Sequence, residues 1–179
     1  RGFALFFCFW VAAAWAAPRP TVPGFPELAF RDRTLANGLR VVSLQDRTTP
    51  TVAIQMWYRV GSKDDPAGRS GFAHLFEHLM FKSTKRMPSE TLDRLTEDVG
   101  GENNAFTADD MTAYFESVPS HHLERLLWAE AERLSSLTVD EANFHTERDV
   151  VKEEFRQSVL APPYGEFGEW IIKESFAVH

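Results

Sequence analysis

Residues 71–82 read GFAHLFEHLMFK, and their reading decides the fold. Phe72, Ala73, Leu75, Phe76, Leu79, Met80 and Phe81 are apolar, whereas His74, Glu77 and His78 are ionisable. The spacing predicts a helix over 71–82 that is apolar on nearly every side and therefore buried. Burying three ionisable groups in such a helix is costly unless they are paired or hold a metal. His74 and His78 are four residues apart, so both imidazoles project from one helix face. That geometry suits two ligands of one tetrahedral zinc ion. Glu77 stands one residue before the second histidine, in reach of a fourth, water-occupied position without being a ligand. The competing reading of the same five residues is two core histidines bonded to carbonyls beside a salt-bridged glutamate.

Upstream of this helix, Asn37-Gly38 separates two apolar segments and signals a hairpin. Strands are expected at about 28–34, 39–46 and 51–60. In the third, Val52, Ile54, Met56 and Tyr58 alternate with Ala53, Gln55, Trp57 and Arg59, which predicts one buried face. Downstream, Ser89 is placed to cap a second helix that Gly100-Gly101 ends. ENNAFTADDMTAYFESVP, residues 102–119, reads as two strands around a turn at Ala108-Asp109-Asp110. Helices follow at about 120–136 and 140–160, the first with Leu123, Leu126, Leu127, Ala131 and Leu134 on one stripe. Pro162-Pro163 breaks the second, and an amphipathic segment runs from Glu166 to Phe176. The order of elements predicts an α+β fold, with helices packed on one face of a mostly antiparallel sheet.

A third zinc ligand is sought among the acids of the helix at 140–158. Glu147 and Glu154 are seven apart and share a face, while Glu153 points about a third of a turn away. Val150, Val151 and Phe155 are expected on the inner stripe, which puts Glu154 beside the core. The alternative for this helix is a solvated charge face.

H-x-x-E-H is the H-E-x-x-H zinc motif read backwards, the pattern of inverzincins. Several separated motifs extend the match: ANGLRVV (36–42), GFAHLFEHLMFKST (71–84), GGENNAFTADDMTAYF (100–115) and ERDVVKEEF (147–155). Together they resemble the N-terminal part of an insulinase/pitrilysin-family zinc metallopeptidase, the group that includes the mitochondrial processing peptidase. The resemblance implies a metallopeptidase half-domain with one Zn2+ per chain on His74, His78 and Glu154. The family's ligand glutamate follows the second histidine by about 76 positions, the separation of His78 and Glu154. It further implies Glu77 as the general base and Glu147 as a second acid of the active centre. Asn104, Ala105 and Phe106 are similar to the edge strand that pairs with the substrate backbone. The activity implied is endopeptidase cleavage of peptides or unfolded segments. In that reading a bound zinc ion would activate water and polarise the carbonyl, and Glu77 would take the water's proton. The resemblance also implies a second homologous half or a partner subunit that closes a chamber around the substrate. A non-catalytic, chamber-forming or binding subunit of the same fold is the alternative, and an unrelated domain with buried histidines is a further one.

Composition bounds the rest. The chain has 179 residues, 44% of them hydrophobic and 25% charged, enough for one sizeable core. A formal charge of −7 argues against nucleic acid as a partner. The one basic cluster, Lys82 to Arg86, reads as a solvated helix end. Residues 1–17 read as a signal peptide with a truncated start, cleaved near Ala16. Export to the periplasm or outside is expected, without stable membrane association after cleavage; the apolar run is short for an uncleaved anchor. Residues 18–27 are expected to form a proline-rich linker, and 28–179 a zinc-peptidase domain that is expected to be incomplete at its C-terminus. Cys8, the single cysteine, lies in the signal segment, so no disulfide is expected. His121 and His122 read as surface residues, His145 as an outside candidate near the acids, and Trp57, Trp128 and Trp170 as core or interface.

Overall fold

The computed structural model describes residues 28–175. The expected signal peptide and linker lie outside the described residues. The chain divides after Arg47 into two compact units. The described part of the first is the predicted hairpin, β1 (Phe30–Thr34) and β2 (Arg40–Leu44), paired antiparallel. Gly38 takes φ 89° in its turn, a conformation that glycine adopts at no steric cost, and Asn37 Oδ1 accepts from Leu39 N–H at 3.1 Å.

The second unit carries a three-stranded antiparallel sheet in the order β3-β5-β4. β3 spans Thr51–Tyr58, β4 Glu102–Thr107 and β5 Thr112–Pro119. The register pairs Ile54 with Glu116 and Ala105 with Tyr114. β3 alternates as its sequence predicts, with Val52, Ile54, Met56 and Tyr58 turned inward. β5 is the central strand and is largely buried, while β4 is an edge.

Among the described residues, five α-helices follow the predicted order: α1 (Phe72–Leu79), α2 (Thr91–Glu97), α3 (Leu123–Ser136), α4 (Glu141–Phe155) and α5 (Gly165–Ser175). The core joins Ile54 and Val118 of the sheet to Leu92 and Leu95 of α2 and Leu126 and Ala129 of α3. The antiparallel sheet with packed helices is the expected α+β class. Among the described residues, no helix is long and apolar enough to cross a membrane.

Several local expectations need correction. α1 is not buried all round: Ala73, Leu75, Glu77 and Leu79 are buried, but Phe76 is 41% exposed. Ser89 does not cap α2; Glu90 holds the N-cap position at φ 66°, and no side chain caps that end. On α3 the inner stripe is Leu126, Ala129, Glu130 and Arg133, and of the predicted stripe only Leu126 is buried. Leu123, Leu127, Ala131 and Leu134 are exposed instead. Both stripes have helical spacing, and the charged one wins because its charges meet partners inside. Arg133 Nη2 pairs with Glu130 and lies 3.5 Å from Glu116, and its guanidinium lies 4.3 Å from the Tyr114 ring centre. On α4, Val150 and Phe155 are exposed and Val151 is half-buried, so the inner stripe runs through Glu147, Val151 and Glu154. Trp57, Trp128 and Trp170 are all exposed, which rules out the core half of their core-or-interface reading and leaves the interface half. Lys82 and Arg86 are not a free solvated end: each pairs with a buried carboxylate, Glu147 and Glu132.

Candidate metal centre

Two helices build the site. His74 and His78 project one turn apart from α1, with ring centres 4.8 Å apart. α4 packs across them and presents Glu147 and Glu154, which lie two turns apart on its inner face. Glu153 turns outward to Arg156 at 3.1 Å, so of the two adjacent acids only Glu154 faces the histidines.

Three donor atoms converge. His74 Nε2 and His78 Nε2 lie 3.2 Å apart, and Glu154 Oε2 is 3.5 Å from each. A tetrahedral zinc ion about 2.05 Å from its donors would hold them about 3.3 Å apart. The triangle therefore fits zinc in donor type and in spacing. His, His and carboxylate is also a donor set with one coordination position left over. The site is open: the His74 side chain is 39% exposed and that of Glu154 46%. A cavity of about 590 Å3 adjoins it, lined in part by Ser70, His74, Val151, Glu154 and Phe155.

Glu147 lies behind the cluster and is buried. Its Oε2 sits 3.3 Å from His78 Nδ1, and its Oε1 accepts from Lys82 Nζ at 2.8 Å. Its place is thus beside one imidazole and not among the converging donors.

Glu77 is buried on the sheet side of α1. Its Oε2 accepts a short hydrogen bond from the Thr107 hydroxyl at the end of β4. Thr107 in turn lies 3.3 Å from Thr112 Oγ1, which donates to Val60 C=O at 2.9 Å. Asn104, Ala105 and Phe106 lie on the edge strand β4, where Asn104 Oδ1 accepts from Ala105 N–H at 2.8 Å. His145 faces Glu141 at 3.5 Å on the exposed side of α4. His121 and His122 sit in a short turn before α3, away from the cluster's donors.

Sequence reasoning missed Lys82 and Thr107. Lys82 follows His78 by four residues, a same-face spacing that was available as a signal. Thr107 is 30 residues from Glu77, and nothing local points to it.

The pattern that describes the insulinase family (peptidase family M16) matches residues 40–163. The chain is 40% identical over 133 residues to "Zinc protease PqqE" of Helicobacter pylori, covering 74% of this chain and 30% of that protein. It is 30% identical over 147 residues to a probable mitochondrial-processing peptidase subunit beta of Arabidopsis thaliana, covering 80% and 28%. The crystal structure of a protease from Helicobacter pylori superposes with a TM-score of 0.74 at 38% identity, over 77% of this chain and 33% of that one. The chain thus spans about a third or less of each relative's length. With the family pattern running from the hairpin through α4, the chain belongs to the insulinase family of peptidases.

Proposed function

We propose that this chain is the zinc-bearing half of a metalloendopeptidase. The observation that carries the reading is the triangle of His74 Nε2, His78 Nε2 and Glu154 Oε2, with edges of 3.2, 3.5 and 3.5 Å. These three residues would hold one zinc ion. Zinc, when bound, supplies a Lewis acid that activates water and polarises a carbonyl.

The chain's own residues do the rest. Glu77 accepts the proton of the attacking water and returns it to the leaving amine nitrogen. Thr107, through its bond to Oε2, holds the Glu77 carboxylate in one orientation. Glu147 accepts from Nδ1–H of His78 and so fixes the tautomer whose Nε2 lone pair faces the other donors. Lys82 holds Glu147 in place from its other oxygen.

The substrate is an extended peptide segment that adds to the outer edge of β4 through main-chain hydrogen bonds. Asn104 already occupies one edge amide, Ala105 N–H, and would swing away as the peptide docks. A second half or a partner subunit completes the enclosure. The exposed apolar side chains of Phe167, Trp170 and Ile171 on α5 support such a contact. Export is a separate proposal that rests on residues 1–17, and N-terminal sequencing of the recovered protein tests it.

The deciding experiment is zinc stoichiometry of the folded chain beside Glu154→Gln. About one zinc per chain, lost in the variant, supports the reading. A folded wild-type chain without zinc favours a non-catalytic subunit of the same fold.

A further inference from the structure

α1 starts without a cap of its own. Its N-cap position is Gly71 at φ 86°, which offers no side chain to the first amides. Asp65, six residues upstream, takes over that task. Its Oδ2 accepts from Gly71 N–H at 2.7 Å and from Phe72 N–H at 3.2 Å, and its Oδ1 from Ala73 N–H at 2.7 Å. One carboxylate thus satisfies three amides at the positive end of the helix.

The loop that carries Asp65 is itself tied to the sheet. Ser62 N–H donates to Ala108 C=O and Lys63 N–H to Asp109 C=O, each at 3.1 Å. Ser62 Oγ bonds Asp109 Oδ1 at 3.0 Å, and Lys63 Nζ reaches Asp110 at 2.7 Å. A Cβ at Gly61 would lie 2.3 Å from Ala108 C=O, so the loop approaches this closely only over glycine. Ala108 directly follows Thr107, the residue that holds Glu77. One short path therefore joins the start of the histidine helix to the end of the edge strand.

We propose that Asp65 is a positioning residue for the metal centre. It clamps the first turn of α1 to the β4–β5 turn and so fixes the rotation of the helix about its axis. His74 follows Ala73, the third clamped amide, and its imidazole takes its place in the triangle from that rotation. The proposal rests on the zinc reading given above.

The test compares zinc affinity, by competition with a chromogenic chelator, with the thermal midpoint of the zinc-free chain. Asp65→Ala is expected to weaken zinc at least about tenfold, the range seen when support of a metal ligand is removed. Asp65→Asn falls between it and the wild type, because an amide offers one acceptor oxygen. The control is Asp64→Ala, which removes the Gly61 N–H bond at 3.1 Å and leaves the amides of α1 alone. It is expected to lower the thermal midpoint, by less than Asp65→Ala because one amide is lost and not three, and to keep wild-type zinc affinity. Wild-type affinity in Asp65→Ala, or an equal loss in both variants, overturns the proposal. Should Asp65→Ala not fold, amide exchange in the zinc-loaded wild type decides: protection of Gly71, Phe72 and Ala73 matching that of Leu75 supports the clamp, and open-chain exchange there overturns it. A wild type that binds no zinc overturns both this proposal and the reading beneath it, whereas zinc binding insensitive to Asp65 overturns this proposal alone.

Discussion

Glu147 Oε2 lies 3.3 Å from Nδ1 of His78, on the opposite side of the ring from the nitrogen that faces Glu154. The two acids of α4 thus grip one imidazole from its two nitrogens. Glu147→Gln keeps the shape but loses the charge that orients the ring and is met by Lys82. Zinc affinity is expected to fall roughly 10–100-fold, with one zinc still bound at saturation. A chelator competition titration measures it, and unchanged affinity would sink the positioning role.

Removing the metal should destabilise the chain only when the triangle is intact. At a free zinc concentration about 100 times the dissociation constant, binding adds about 2.7 kcal/mol to the folded state. Chelator is expected to lower the thermal midpoint of the wild type and to leave that of Glu154→Gln where it was. Equal midpoints with and without chelator in the wild type would count against a zinc site.

Glu77 and zinc binding should be separable. Glu77→Gln in the complete peptidase is expected to keep one zinc and to lose about 10^2–10^4-fold in turnover, as for a removed general base. Thr107→Val, which deletes the hydroxyl held against Glu77, should lower turnover less and leave zinc in place. Peptide hydrolysis assays beside metal analysis check both, and full turnover in Glu77→Gln would refute the assignment.

Glu116, Glu130 and Arg133 place two carboxylates against one guanidinium in the interior. Burial first, then the hydrogen bond and charge of Glu130, push the Glu116 carboxyl up to about 9, against the opposing pull of Arg133. The buried hydroxyls of Tyr58 and Tyr114 face the same cluster and are also pushed up, chiefly by burial. The folded state therefore keeps a proton that the unfolded chain releases near the ordinary value of 4.5. The stabilisation is full below about 4.5, falls as pH rises, and is gone once pH passes about 9. Glu116→Gln, which mimics the protonated acid, should flatten this decline. Denaturant melts across that range test it, and identical pH slopes in the two proteins would refute it.

Gly61→Ala probes the loop that ties α1 to the sheet. The added methyl meets backbone oxygens of Ala108 and Asp109 at 2.3 and 2.5 Å, neither of which yields as a side chain would. A loss of about 1–3 kcal/mol is expected from such overpacking. Equilibrium unfolding measures it, and a neutral substitution would show that the loop is free to move.

What the sequence determined by itself is whatever local chain geometry controls. Histidines four apart share a helix face whatever surrounds them, so His74 and His78 were legible as a pair. The Asn37-Gly38 hairpin and the alternation of β3 were legible for the same reason. Tertiary structure decided the rest, because it depends on which surfaces dock. The docking of α4 on α1 brought Glu154 to the donor triangle and put Glu147 behind His78. On α3, burial of Arg133 with its partner acids left only Leu126 of the predicted stripe inside, since a paired charge enters a core that an unpaired one cannot. Thr107 at Glu77 and Asp65 at the start of α1 are contacts across a sheet and a loop. Neither leaves a periodic trace, because a hydrogen bond between distant residues is set by the fold and not by their spacing in the chain.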